Sequence, residues 1–152
     1  IKAVFTLPHE GAYVDAPEAY AAVGRHLYKH FAPADIAIKP HPRMTRRDLP
    51  ASMFPGTVLL DHRIGMEAIL PLLGDSCVVV GDISSTLLTT RWLRPDLRVL
   101  ALVPEGGVVG GMADLYHQLD IPMIQGGDLG TLLWCNDRPD RPAGTGTNPG
   151  SL

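Results

Sequence analysis

Three consecutive hydroxyl side chains, Ser84, Ser85 and Thr86, stand where the apolar run Cys77–Val80 gives way to a helix-like stretch. A helix start leaves backbone N–H groups unpaired, and hydroxyls beside them make an anion site of the kind that takes a phosphate. The plain alternative is that one serine only caps the helix. Two serines and a threonine together favour the phosphate. His41 lies between Pro40 and Pro42. Flanking prolines restrict the local backbone, so the imidazole is held in one direction, where it can donate a hydrogen bond or a proton to a phosphate. Lys39 and Arg43 either add positive potential there or are merely solvated. Glu67 falls two residues into the segment Gly65–Leu73. A carboxylate at that point can accept both hydroxyls of a ribose; equally, it can be a first-turn glutamate favoured by the helix dipole.

The remaining polar candidates offer less. The loop containing Gly106-Gly107 and Gly110-Gly111 has neither the spacing and lysine of a P-loop nor a GxGxxG pattern, and signals only close backbone approach or mobility. His9, Glu10, His62 and His117 form no recognisable metal set. His26 and His30 share a helix face at i, i+4 but lack a third ligand, so they read as surface histidines. Cys77 and Cys135 have no CxxC spacing, and Cys77 reads as a buried thiol. No metal is expected.

The elements that must position these residues alternate in type. Strands are expected over Lys2–Leu7, Asp35–Lys39, Thr57–Leu60, Cys77–Val80, Arg98–Val103 and, more weakly, Ile121–Ile124. Helices are expected over Ala16–Phe31, with Asp15 as N-cap, then Leu49–Phe54, Gly65–Leu73 shortened by Pro71, Ser84–Leu93, Met112–Leu119 and a closing Leu129–Trp134. Residues 1–135 thus read as one domain, and 136–152, with nothing to bury, as a disordered tail. The chain has 152 residues, 45% hydrophobic and 19% charged, which is a one-domain globular composition. Its formal charge of −3, from 13 basic and 16 acidic side chains, argues against binding nucleic acid through bulk charge. No apolar run is long enough for a membrane span and no signal-peptide pattern opens the chain. Beginning on Ile1 just before a strand, the sequence reads as a piece of a longer protein.

Strands separated by single helices imply βαβ units, hence an α/β domain with a mainly parallel sheet and helices on both faces. Ligands in such sheets bind beyond the carboxyl ends of the strands. The segments just there are Pro8–Gly11, Pro40–Arg43, Asp61–Arg63, Gly81–Ser85 and Pro104–Gly111, and each carries polar or special residues. Turns are polar everywhere, so one such segment means little. Five in succession point to one shared crevice.

The order IKPHPRM, GMEAIL, VVVGDISSTLLTT resembles the carboxyl-terminal half of bacterial sialyltransferases and polysialyltransferases, which carry an HP motif, an intervening glutamate and an SS or ST motif in that order. The likeness spans about Ile36–Thr90, with a weaker echo through RVLALVPEG. It implies a Rossmann-like three-layer domain, the C-terminal half of a GT-B type glycosyltransferase. By the same resemblance His41, of the His41-Pro42 motif, would contact the CMP phosphate as the catalytic residue of this half. Ser84 and Ser85, with Thr86 beside them, would hold that phosphate, and Glu67 the ribose of CMP-sialic acid. The donor is a substrate, so no cofactor is expected. The catalytic base of this family belongs to an acidic D/E-D/E-G motif of the amino-terminal domain. Here the nearest match is His9-Glu10-Gly11, so the base and the glycan acceptor site are expected in a missing N-terminal domain and the isolated chain is expected to be inactive. The resemblance further implies a cytoplasmic protein, or one peripheral to the inner membrane.

Two other readings stay open. Asp82-Ile83-Ser84-Ser85 also fits the D-x-S-S spelling of teichoic-acid-type glycerophosphotransferases, which use a CDP-linked donor. A non-catalytic nucleotide-binding domain is the third.

Overall fold

The computed structural model describes residues 1–15, 17–46, 48–103 and 110–125. Strands β1 (Ala3–Thr6), β2 (Ile36–Lys39), β3 (Val58–Leu59), β4 (Val78–Asp82), β5 (Arg98–Val103) and β6 (Met123–Gln125) form one six-stranded sheet. Its order is β3-β2-β1-β4-β5-β6 and every pairing is parallel. Helices α1 (Glu10–Asp15), α2 (Pro17–His30), α3 (Asp48–Met53), α4 (Met66–Ile69), α5 (Ser85–Leu93) and α6 (Ala113–Gln118) lie between the strands in sequence.

Strand alternation sorts the apolar residues into two cores, one on each face of the sheet. Val78 and Val80 of β4 join Phe5, Ile38 and Leu100 on the face covered by Tyr20, Val23 and Leu27 of α2. Val79, between them, joins Val4, Ala37 and Val99 on the face covered by Met66 of α4, Leu87 of α5 and Tyr116 of α6. Strands covered on both faces must be apolar at nearly every position, which is why VVV and AVF appear as continuous runs. This is a three-layer α/β domain with a Rossmann-like strand order. The exception is the two-residue edge strand β3, whose Val58 and Leu59 stay 40% and 45% exposed.

Several expected boundaries shift. Asp15 ends α1 instead of capping the following helix, because Pro17, lacking an N–H, cannot continue a helix from the preceding turn and begins a new one. β1 is shorter than Lys2–Leu7 at both ends. Asp35 belongs to a 3-10 turn ahead of β2. Pro71 converts the end of the fourth helix to a 3-10 turn, Leu70–Leu72. A 3-10 turn, Gly110–Met112, likewise leads into α6, and the last strand begins two residues later and ends one later than expected. β4 runs on through Gly81 and Asp82, since Thr6 on one side and Ala101 and Leu102 on the other offer them partners. Gly81 is obligatory there: a Cβ would collide with Thr6 Oγ1 and lie 3.1 Å from the Thr6 carbonyl oxygen. The tail 136–152, the helix over 129–134 and most of the loop from 104 lie outside the described residues.

Candidate functional site

From β1 the chain moves outward through β2 to β3, then returns to β4 on the other side of β1. The loops leaving β1 and β4 diverge from that reversal and open a crevice at the carboxyl edge of the sheet. A cleft of about 490 Å³ occupies it. The segment after β1 contributes Pro8 and His9, that after β2 His41 and Pro42, the start of α4 Gly65 and Glu67, and the end of β4 with the start of α5 Asp82, Ser84, Ser85 and Thr86. All six candidates, His41, Pro42, Glu67, Ser84, Ser85 and Thr86, therefore line a single cleft, although they come from three separate loops.

His41 is fixed twice. It opens a turn closed by the Met44 N–H donating to the His41 carbonyl at 3.0 Å, with Pro42 at the second position that favours it. Its Nδ1 accepts the Arg43 N–H at 3.1 Å. An Nδ1 that accepts leaves the imidazole proton on Nε2, so neutral His41 is a donor through Nε2. Burial, with His9, Arg43 and Lys39 nearby, lowers its pKa below the ordinary histidine value. His41 thus rests neutral at pH 7.

The loop after β4 departs from expectation in one respect. Ser84 does not offer a free amide: its N–H donates to the Tyr116 hydroxyl at 2.8 Å, and that hydroxyl donates back to the Ser84 carbonyl at 2.8 Å. Tyr116 is fully buried, so the bracket is rigid. The Ser84 side chain, however, makes no capping bond to α5. Among the described residues the Ser85 and Thr86 amides have no acceptor either, as expected for a first helical turn. Two amides and the uncommitted Ser84 hydroxyl line the cleft together. The Asp82 carboxylate is held at the base of the loop, accepting the Ile83 N–H at 2.9 Å and the Tyr20 hydroxyl at 3.3 Å. Burial raises its pKa against those two bonds.

Glu67 stands exposed in the first turn of α4, its carboxylate folded back over Gly65, where a Cβ would come within 2.7 Å of Oε2. Lys39 is not solvated but 5% exposed, with Nζ donating to the Pro40 carbonyl at 2.9 Å and the His62 carbonyl at 3.2 Å. Burial lowers its pKa, while Asp61 and Glu67 pull it back up. The Lys39 ammonium brings a positive charge into a lining that also carries the Glu67 and Asp82 carboxylates. Tyr20 and Tyr116, the residues that brace the loop after β4, carry no local sequence signal, being 62 and 32 residues from their partners.

Among the described residues no three or more histidine, cysteine, aspartate or glutamate side chains gather as a metal site, and no helix is long and apolar enough to cross a membrane. No family model, curated protein or solved structure matches the chain.

Proposed function

We propose that this cleft binds the phosphate and ribose of a cytidine nucleotide, and that the chain is the donor-binding domain of an inverting sialyltransferase or polysialyltransferase of the GT-B type. The observation that carries this reading is the convergence of a neutral Nε2–H donor at His41, an uncommitted Ser84 hydroxyl and two unpaired amides on one cleft with a buried cation in its lining. In the transfer, an acceptor hydroxyl oxygen bonds to the anomeric carbon of sialic acid as the bond from that carbon to the CMP phosphate oxygen breaks. The hydroxyl proton passes to an acidic base supplied from outside this domain. The negative charge released onto the phosphate is met by His41, Ser84 and the Ser85 and Thr86 amides, donors already in place before the bond breaks. Glu67, in the same cleft, takes the ribose hydroxyls.

A second reading is favoured by Asp82, which shares the cleft and completes the D-x-S-S spelling: a CDP-glycerol-type glycerophosphotransferase would use the same phosphate donors. Calorimetric titration with CMP, CDP-glycerol and UDP separates the two. Tightest binding of CMP supports the sialyltransferase, and tightest binding of CDP-glycerol supports the alternative. Equal binding of all three points to a non-catalytic nucleotide module, and binding of none removes the donor-site reading.

A further inference from the structure

The Nδ1 bond of His41 has a counterpart one strand away, at His9 just ahead of α1. β1 and β2 are parallel neighbours in register Thr6↔Lys39, and the Leu7 N–H donates to the Lys39 carbonyl at 2.9 Å. Each strand then runs into a buried proline followed by a histidine, Pro8-His9 beside Pro40-His41. In each case the histidine Nδ1 accepts the N–H of the residue two further on, Gly11 at 3.2 Å for His9 and Arg43 at 3.1 Å for His41. The same bond sets the same tautomer, so both neutral rings present an Nε2–H. The rings meet edge to face with centroids 5.6 Å apart, and both line the cleft.

A strap ties the start of α1 to the segment beyond the His41 turn. Glu10, the residue after His9, accepts the Thr45 N–H at 3.0 Å, the Thr45 hydroxyl at 2.6 Å and the Arg46 N–H at 3.4 Å. These donors lie just beyond the His41 turn. Glu10 carboxylate chemistry is thereby committed to the chain itself, and those bonds from Thr45 and Arg46 lower its pKa. What the strap leaves facing the cleft is the imidazole pair.

We infer that His9 is a second phosphate-binding residue, its Nε2–H and that of His41 donating to different oxygens of one phosphate. Two N–H donors from adjacent strand ends suit a tetrahedral anion, which offers acceptor oxygens in diverging directions. They suit a cation poorly, since with Nδ1 engaged neither ring has a lone pair to give. This inference rests on the phosphate-site reading of the cleft and adds one residue to it.

The test exploits the two ends of the ring. Glutamine at position 9 keeps an N–H donor where Nε2 lies, and asparagine keeps an acceptor where Nδ1 lies. CMP and cytidine are titrated calorimetrically against the wild-type chain and the His9→Ala, His9→Gln, His9→Asn and His41→Ala variants, with a thermal melt of each. Loss of a donor to a charged oxygen at an exposed position should weaken CMP about tenfold and leave cytidine within about twofold. His9→Gln should recover most of that loss and His9→Asn little. Recovery by asparagine and not by glutamine would make His9 a backbone-holding residue and overturn the inference. So would unchanged CMP affinity in His9→Ala while His41→Ala loses it, an outcome that leaves the phosphate site standing. Unchanged affinity in both alanine variants would instead remove the phosphate site, and the inference with it.

Discussion

Replacing Ser84 with alanine separates a ligand-binding hydroxyl from a helix cap, and the structure sets opposite expectations for the two. A capping serine stabilises the helix by accepting, at Oγ, the N–H of a first-turn amide, and its loss costs about 1 kcal/mol. In a domain of this size that would lower the melting temperature by roughly 3–5 °C. Ser84 makes no such bond. The position of its backbone is set by Tyr116, which engages both the N–H and the carbonyl and is untouched by the substitution. Ser84→Ala should therefore melt within about 1 °C of the wild type. Binding is another matter. A hydrogen bond to a charged oxygen contributes about 1.5–3 kcal/mol, and the half-open cleft places Ser84 at the lower end, so CMP affinity should fall roughly tenfold to thirtyfold. Differential scanning fluorimetry and isothermal titration on the same preparation give both numbers. A melting temperature lowered by several degrees with CMP affinity intact would refute the reasoning, since it would mean that the hydroxyl serves the helix and not a ligand.

Lys39→Met should weaken CMP about tenfold or more while leaving the melting temperature at pH 7 equal or higher. Its folded pKa is depressed by burial, so the charged side chain penalises folding at every pH below that value and ceases to do so only above the unfolded value of 10.5; a lower melting temperature with unchanged binding would make Lys39 a structural pin between the Pro40 and His62 carbonyls. Glu67→Ala should weaken cytidine and CMP alike in calorimetric titrations, because its proposed partner is the ribose; if Glu67 only complements the helix dipole, chemical denaturation should show a loss of about 0.3–1 kcal/mol of stability with neither affinity changed. His41 rests neutral because burial and its basic neighbours lower its pKa below 6.5. A bound anion favours the imidazolium, so the ratio of CMP affinity in the wild type to that in His41→Gln should grow as pH falls from 7 to 5.5; a ratio flat with pH would show that no imidazolium forms against the phosphate and that His41 acts there only as a neutral donor.

What the sequence disclosed followed the reach of its physical signals. The strand Arg98–Val103 is recovered residue for residue, since the apolar run Val99–Val103, opened by Arg98 and halted by Pro104, has one reading in a parallel sheet. The placement of His41, Glu67 and Ser84 at strand ends was legible for the same reason, and with it their meeting at one edge of the sheet. Helix α1 was not, because EGAYVD is too short to show a period and holds a glycine. The extension of β4 through Gly81 and Asp82 depends on partners 75 residues back and about 20 ahead, beyond any local window. Lys39 at the end of a strand resembles any solvated lysine, and only the carbonyls of Pro40 and His62 arriving from two loops explain its burial. His9 differs from these. Its Pro-His pair repeats that of His41 in the sequence itself, but a search for metal-ligand spacing passes over a repeat whose meaning lies in two adjacent strands ending alike.

The central claim is that four strand-end loops build one nucleotide site, and heteronuclear NMR of the full chain titrated with CMP tests it most directly. The amides of Ser85 and Thr86, the Nε2 signal of His41 and the amide of Glu67 should shift along one binding isotherm, without added metal ion. Shifts confined to residues away from this edge of the sheet, or no saturable shift at Ser85 and Thr86, would contradict it.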